Sequence, residues 1–431
     1  MNKLSKSELK EKIIKSVDKD YAVAFLKSLV RLPSAFGEAT LAQELVLEKL
    51  AHCGFEIDKF MPDFTNITEL DDYCPLPENV VLSSGAYNLV GKKSSSKKTA
   101  KSLMLFSHID TEPRKDDKEL VGLVDGDKFY GLGAADAKSG IAMMLLAAQY
   151  ILKEIELDGD LTLMSVLGKA GGSAGTLTAI KRGYQADASI YIHPAETGHS
   201  FHEIKCYSMG VIDFRLTVPG KKGHPIDELD ESEENAVIRG TKLINGLIDW
   251  NKERQSRLLF EKGDFKGQPK TKLNIGKAQG GTYAGSDPIS FMVDCRLYFA
   301  HDESIESVLN DLKKAISIMF TDDPFIRDNP IILEKLYLRA SPGYIEEDHD
   351  IIKKLINNID QVKGKQNYIY QYHGASDIRL PIIYGNTPCV GIGPQAGGFY
   401  GAEWTDWVSI EDYLNGINIL IGTIIDWCIE D

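Results

Sequence analysis

The strongest constraint on the fold is a repeated pattern in which a short apolar segment is followed by a turn and then by a helical segment. The apolar segments are SLMLFSHID (102–110), LTLMSVL (161–167) and ASIYIHP (188–194). A Gly-rich segment lies between the first two, at 131–140, and another follows the second directly, and each leads into a helical pattern. Strands that alternate with helices in this way form parallel sheets with helices on their faces. The pattern predicts an α/β fold with a mostly parallel sheet and flanking helices.

The pattern of apolar and polar residues changes near residue 207. VIDFRLTVPG alternates apolar and polar residues, as half-exposed strands do. Further strand patterns and two long helical patterns follow it. After Pro342 the alternation of strand and helix patterns resumes. A chain of 431 residues is also long for one core. We therefore predict a catalytic-type α/β domain formed by residues 1–206 and 339–431, with an α+β domain inserted at 207–338.

Net charge and cysteine usage indicate which binding partners and which cellular compartment to expect. The formal net charge is −14, and acidic residues are spread along the chain, which argues against binding to nucleic acid or to an anionic membrane. No apolar stretch is long enough for a membrane span, and the N-terminal segment lacks an apolar signal core. The six cysteines are scattered without a CxxC pair, which is typical of free thiols. A cytoplasmic protein is expected.

Polar residues close the predicted strands, at the edge where ligands bind in α/β sheets. His108 and Asp110 end the first strand, Asp136 lies in the Gly-rich turn, and His193 ends the third strand. Two imidazoles and one carboxylate form a workable catalytic zinc set, and Asp110 is placed to orient the ring of His108. The alternative is that each is an ordinary polar residue at a strand end. The pair His199 and His202 is instead interpreted as surface histidines.

Over essentially its full length the sequence resembles the aminoacylase, acetylornithine deacetylase and succinyl-diaminopimelate desuccinylase family of zinc metallopeptidases. The resemblance rests on SHIDTEP, YGLGAADAKSGIA, GYQADASIYIHPAETG, GVIDFRLTVPGKKGHP and HGASDIRL, in family order and spacing. It implies a zinc-exopeptidase-like sheet and a ferredoxin-like lid that dimerises, through edge strands or helices. The implied partners are a second copy of the chain and a small N-acyl amino acid or peptide.

The resemblance also implies roles for individual residues. His108 matches a zinc ligand, Asp136 matches the ligand that bridges two zinc ions, and His193 stands where the family has an acidic ligand. Asp110 matches the carboxylate behind His108.

In the lid, His224 matches a histidine that stabilises the oxyanion in a partner subunit's site. Arg296 and Arg379 match basic positions, of which Arg379 is expected to face a substrate carboxylate, and His373 is expected to line the cleft.

Apart from the imidazole at position 193, the departures from the family pattern concern the ligands of the second zinc ion and the general base. Lys169 stands at the family's general-base Glu, and Ala170 and Ala402 stand at two ligands of the other zinc. His108, Asp136 and His193 all belong to the remaining ion. We therefore predict one zinc ion and no second site, the alternative being a relic site that binds nothing.

Three functions stay open on the sequence alone. The first is a divergent hydrolase of a carbon–nitrogen bond, and the second is a non-catalytic binding or regulatory protein. The third is other chemistry, such as a lyase reaction, in which Lys169 acts as nucleophile or base. An ordinary lysine has a pKa near ~10.4 and is a poor base, so a role in balancing charge is the simpler interpretation of Lys169. Glu403 is a possible substitute base.

Overall fold

The computed structural model describes residues 4–35, 37–74, 86–168, 172–221, 235–261, 266–285, 287–398 and 404–430, and for residues 371–373 only the backbone. Its helices are α1 (Lys6–Lys15), α2 (Lys19–Val30), α3 (Thr40–His52), α4 (Ser139–Leu152), α5 (Ala174–Lys181), α6 (Ala236–Arg257), α7 (Ile305–Met319), α8 (Pro324–Asp328), α9 (Asp350–Lys363), α10 (Arg379–Gly385) and α11 (Ile410–Cys428).

The strands are β1 (Glu56–Phe60), β2 (Asn88–Lys93), β3 (Leu103–His108), β4 (Leu123–Asp125), β5 (Lys128–Tyr130), β6 (Leu161–Val166), β7 (Ala188–Ile192), β8 (Glu203–Pro219), β9 (Lys272–Gly280), β10 (Ser290–Phe299), β11 (Ile332–Ala340), β12 (Gly343–Tyr344), β13 (Ile369–Gly374), β14 (Cys389–Ile392), β15 (Ala396–Gly397) and β16 (Trp407–Ser409). Short helical turns span Asp117–Leu120, Ala134–Lys138 and Ser200–His202.

A large mixed sheet organises these elements. Its order is β1-β2-β6-β3-β7-β14-β8-β10-β9, and the four strands β6, β3, β7 and β14 are parallel. Antiparallel strands flank this parallel part, with β2 on one side and β8 on the other. The parallel strands are buried along their whole length, which explains why they are continuous apolar runs in the sequence. The predicted α/β fold with flanking helices is confirmed.

Strand β8 continues beyond the parallel sheet into an antiparallel one. There β8 pairs with β10 and β11, and β10 pairs with β9. The chain order β8, α6, β9, β10, α7, β11 with the sheet order β11-β8-β10-β9 is the ferredoxin-like βαββαβ arrangement. Along β10 every second residue is buried, because one face of this sheet packs against the helices.

The parallel part and the ferredoxin-like part of the large sheet have separate hydrophobic cores. The larger core collects residues from Ile13 to Cys428, so both ends of the chain contribute to it. The core of the ferredoxin-like part runs from Ile212 to Ile326. The domain boundaries at 206/207 and 338/339 stay a prediction. Among the described helices, none combines the length and the apolar content that a membrane crossing requires.

Helix α4 approaches the sheet closely because its second residue is a glycine. A Cβ atom at Gly140 would lie 2.6 Å from Oγ of Ser107 and 2.7 Å from the carbonyl oxygen of Ile192. These two residues immediately precede His108 and His193. The same Ser107 hydroxyl donates to the Ile192 carbonyl at 2.8 Å. Gly140 therefore lets the start of α4 reach the ends of β3 and β7.

We expect Gly140→Ala to destabilise the protein by about 1–3 kcal/mol, because the added methyl group overpacks a backbone contact. Alanine favours helix over glycine by about 1 kcal/mol, so any loss must come from the packing. The free energy of unfolding in urea measures the effect. Gly276→Ala is the matched control, since the nearest atom to its added Cβ is 3.6 Å away and the stability should stay within about 0.5 kcal/mol of wild type. Equal stabilities for the two variants would contradict the close approach.

Candidate metal centre

The parallel strands place the site at their carboxyl edge. The chain passes from β3 to β6 on one side, and from there to β7 on the other side of β3, so β3 lies at the point where the strand order reverses. Ligands in open α/β sheets bind at such a point, just beyond the carboxyl ends of the strands. His108 is the last residue of β3, and His193 follows the last residue of β7. Because β3 and β7 are hydrogen-bonded neighbours, their terminal side chains lie side by side.

Asp136 joins the two histidines. Its Oδ1 lies 2.8 Å from Nε2 of His108 and 3.3 Å from Nε2 of His193. The three side chains are buried, and their ligand atoms all lie within 4.8 Å of one another. The structure therefore brings together the three residues predicted as metal ligands.

The loop that carries Asp136 is fixed from behind by Asp406. The Asp406 carboxylate accepts a hydrogen bond from the backbone N–H of Gly133 at 3.0 Å, and its carbonyl accepts one from Gly131 at 2.9 Å. Lys138, two residues after Asp136, donates to the carbonyl of Leu32 at 2.7 Å. Burial lowers the pKa of Lys138 to about 7, although the nearby Asp406 carboxylate opposes that shift.

Asp110 lies behind His108, and the atom that contacts the ring is its backbone carbonyl rather than the predicted carboxylate. Nδ1 of His108 is 3.1 Å from the backbone carbonyl of Asp110 and 3.6 Å from its carboxylate. The carboxylate also accepts the N–H of Gly168 at 2.8 Å, so it ties the end of β3 to the loop after β6. When Nδ1–H donates to the Asp110 carbonyl, Nε2 carries no proton, and its lone pair is available to a metal ion that Asp136 also contacts.

The chemistry of this donor set fits a divalent metal ion. Two imidazole nitrogens and one carboxylate oxygen are the usual protein ligands of a catalytic zinc site with an open position. The hydrogen bond at Nδ1 of His108 is the arrangement found behind metal-binding histidines. His108, Asp136 and His193 would hold the ion.

Two other predicted site residues, Arg379 and Arg296, form ion pairs within the protein. Arg379 is 1% exposed, its Nε donates to Asp72 at 3.1 Å, and its Nη1 donates to the carbonyls of Ala375 and Ser376. The guanidinium is thus buried in an ion pair, and its contact with a substrate carboxylate stays a prediction. Arg296 forms a two-point ion pair with Asp213 across β10 and β8, at 2.6 and 2.8 Å.

Other predicted positions lie outside the described residues: Lys169, Ala170, His224, Ala402, Glu403 and the side chain of His373. The interpretation of His202 as a surface histidine is wrong. It is 2% exposed, because its short helical turn packs under α9, where Nε2 lies 3.2 Å from the carbonyl of Gly364.

Sequence reasoning missed Lys205 and Glu203, two buried charged residues at the start of β8. Lys205 Nζ lies 3.2 Å from Nδ1 of His193 and 3.5 Å from the Glu203 carboxylate. Burial lowers the pKa of Lys205, against the opposing effect of the Glu196 and Glu203 carboxylates. A signal was available, since the alternate charged residues of HEIKCYS interrupt an otherwise apolar strand.

A His2Asp cluster at the carboxyl edge of an α/β sheet is the type of ligand set that metallohydrolases use. Residues 104–426, most of the chain, match the model of peptidase family M20/M25/M40. The chain therefore belongs to this family of hydrolases, which are typically metal-dependent, and the predicted resemblance is confirmed.

Similar proteins come from both sequence and structure comparison. The N-formyl-4-amino-5-aminomethyl-2-methylpyrimidine deformylase of Bacillus subtilis is 26% identical over 385 residues, covering 80% of this chain and 84% of that protein. The solved aminopeptidase PepT of Bacillus cereus superposes with a TM-score of 0.70 at 14% identity, covering 95% of this chain and 99% of that one. Human carnosine dipeptidase 1 gives a TM-score of 0.64 at 14% identity, with coverage of 97% and 99%. The structural matches establish the shared fold.

We expect Asp110→Asn to lower the affinity for a divalent metal by less than about 10-fold, because it removes the negative charge 3.6 Å from Nδ1 of His108 but keeps the backbone carbonyl that contacts Nδ1, and a complete partner behind a ligating histidine is typically worth ~10–100-fold. Competition with a chromophoric chelator measures the affinity. Asp125→Asn, on the exposed strand β4, is the control and should bind as wild type does. An affinity that does not change in Asp110→Asn would show that the carboxylate has no influence on the His108 ring.

Proposed function

We propose that this protein is a divergent hydrolase that binds one zinc ion and acts on the amide bond of a small N-acyl compound. The observation that carries the proposal is the convergence of His108, Asp136 and His193 on one point at the strand ends. The family match supports hydrolysis of a carbon–nitrogen bond. The sequence supports a single ion, because Ala170 and Ala402 occupy two ligand positions of the other ion.

Each residue of the cluster has a defined task. Zinc, when bound, polarises the substrate carbonyl and lowers the pKa of a water molecule, which is the chemistry that such sites supply. Asp110 keeps the ring of His108 in one orientation and tautomer. Asp136 supplies the single negative charge of the ligand set, and the neutral ring of His193 replaces the acidic ligand expected from the family resemblance. The buried surroundings exclude bulk water from one side of the site.

The proposed reaction is slow by family standards. Lys169 stands at the general-base position, and loss of a general base typically costs ~10²–10⁴ in rate. We infer that Lys169 balances charge near the position of the missing ion, and that Glu403 or Lys169 is the residue to examine for residual proton transfer.

The relatives support the choice of substrate class. The curated relatives are named as deformylases of an aminomethylpyrimidine, and the structural neighbours as an aminopeptidase and a dipeptidase. We propose an N-acyl amino acid or small peptide, with a formyl group among the acyl groups to be tested. We also propose a cytoplasmic homodimer in which His224 of the lid reaches the partner's site.

A second candidate is a binding or regulatory protein that keeps the cleft but not the reaction. The replacement of the general base and of both ligands of the other ion favours it. The two candidates share the metal site and differ only in turnover.

Metal analysis tests the metal site that both candidate functions share. The protein is purified without chelator and without a metal-affinity column. We expect about one equivalent of zinc per chain, and Asp136→Ala should reduce it to background, because the variant loses the only carboxylate of the set. Asp125→Ala is the control for loss of an acidic side chain. Wild-type protein without metal above background would rule out the metal site.

The triple variant Lys169→Glu, Ala170→Glu and Ala402→His separates the two functions. Hydrolysis of N-formyl and N-acetyl amino acids is measured for both proteins with added zinc. We expect wild type to be slower than the triple variant by about 10²-fold or more, since the variant regains a base and a second site. Measurable turnover by wild type supports the hydrolase, whereas turnover by the triple variant alone supports the binding protein.

A further inference from the structure

A recess in the ferredoxin-like part of the protein is separate from the metal cluster. Helix α7, helix α8 and the start of β11 enclose it, and its volume is 590 Å³. Helix α7 and the two residues after it contribute Lys313, Ile316, Ser317, Phe320 and Thr321. These positions recur at spacings of three and four, so they lie on one face of the helix. The described lining includes no residue of the metal cluster.

The recess has an apolar floor and an exposed rim. Phe320 and Ile326 form the floor, where they are 4% and 7% exposed, and both belong to the core of the ferredoxin-like part. The rim residues Lys313, Thr321 and Arg327 are exposed. A recess that opens to solvent above an apolar floor has the form of a small-molecule site, and its volume lies within the ~300–1,000 Å³ range of such sites.

The wall that α8 forms is fixed by contacts within the protein. Asp323 caps α8, since its carboxylate accepts the N–H of Ile326 at 3.1 Å, and it forms a two-point ion pair with Arg239 of α6 at 2.8 and 3.1 Å. At the other end of α8, the N–H of Asn329 donates to the carbonyl of Phe325 at 2.8 Å. The recess is therefore bounded by ordered elements, which lowers the entropic cost of binding a ligand there.

Two cationic side chains and no acidic one line the recess. Among the described residues, neither Lys313 nor Arg327 forms an ion pair with a carboxylate. Asp322 and Asp328 are close in sequence but do not belong to the described lining. In a chain with a net charge of −14, a recess with two positive charges and no negative one is complementary to an anion.

We propose that this recess binds a small amphipathic carboxylate, a compound whose apolar chain ends in a carboxylate group. The apolar chain packs on Phe320, Ile326 and Leu333. The carboxylate pairs with Lys313 and Arg327, because ammonium and guanidinium N–H groups form charge-assisted hydrogen bonds with carboxylate oxygens. The inference does not rest on the proposed metal site.

The dimensions of the recess favour a small molecule over a protein partner. An amphipathic helix is ~10–12 Å wide with its side chains, and a stable protein interface buries ~1,200–2,000 Å² in total. A recess enclosed by one face of α7, the short helix α8 and the start of β11 offers much less surface than that. An alkyl chain of about eight to ten carbons needs no more than a small-molecule site.

The test measures the binding of octanoate, decanoate and the neutral analogue octanol to the full chain by isothermal titration calorimetry, below the micelle concentrations. Wild type is compared with the double variant Lys313→Gln, Arg327→Gln. The charge-matched control is Lys314→Gln, Arg257→Gln, because both of its positions are exposed and neither lines the recess. All four substitutions are on the surface, and thermal unfolding checks that each protein is folded.

We expect decanoate to bind saturably and about 10-fold more tightly than octanoate, because two more methylene groups are buried. Octanol should bind wild type about 10-fold more weakly than octanoate does, since it cannot pair with the cations. In Lys313→Gln, Arg327→Gln the affinity for octanoate should fall to that for octanol. The control variant should keep all three wild-type affinities.

A second variant and a spectroscopic measurement locate the ligand. Ser317→Trp fills the recess from its exposed side without removing a core side chain, and it should abolish the binding of decanoate. In protein with labelled isoleucine methyl groups, decanoate should shift the signals of Ile316, Ile326 and Ile331, which line the recess. The signal of Ile109, next to the metal cluster, should stay in place.

Four results would overturn the inference. The first is a wild-type protein that does not bind decanoate saturably, and the second is binding that neither Lys313→Gln, Arg327→Gln nor Ser317→Trp weakens. The third is octanol binding as tight as that of octanoate. The fourth is a lack of decanoate binding in a chain that sediments with anionic lipid vesicles, or that forms a dimer which Ser317→Trp dissociates. That result would assign the recess to a membrane surface or to a second copy of the chain.

Discussion

The Asp136 carboxylate connects two imidazoles that come from neighbouring strands. Strands in a sheet lie ~4.8 Å apart, and the ends of β3 and β7 therefore deliver His108 and His193 at a separation that one small group can bridge. Asp136 reaches that position because α4 begins just after it and packs tightly on the same strand ends, through Gly140. The contact between the two rings and Asp136 and the packing of the core helix both depend on this one junction.

The sequence was sufficient to predict most of this junction. Buried parallel strands are continuous apolar runs, so β3, β6 and β7 were visible as such, and residues that end such strands meet at one edge of the sheet. His108, Asp136 and His193 could be grouped on that reasoning before any distance was known. The long helices α4, α6, α7 and α11 were equally visible from their apolar content and their length.

What the sequence did not predict depends on contacts between distant segments. Asp72 and Arg379 are 307 positions apart, and only the packed structure shows that they form a buried ion pair. His202 looks like a loop histidine in sequence, and it is buried only because α9 covers its turn. The short strands β4, β5, β15 and β16 are too brief to show a period of two, and they form because the segment around Asp406 crosses the loop before Asp136.

The imidazole at position 193 suits the charges that surround it. Glu196 and Glu203 already lie close to Lys205, with carboxylate oxygens 3.9 and 3.5 Å from its Nζ. An acidic side chain at position 193 would add a further carboxylate to a buried cluster, which is costly unless an ion or a cation pairs with it. A neutral ring has no such requirement and can occupy the position with or without a metal. In a metal-bound site, an imidazole in place of a carboxylate would favour zinc-like ions, which accept nitrogen ligands, over magnesium and calcium, which favour oxygen.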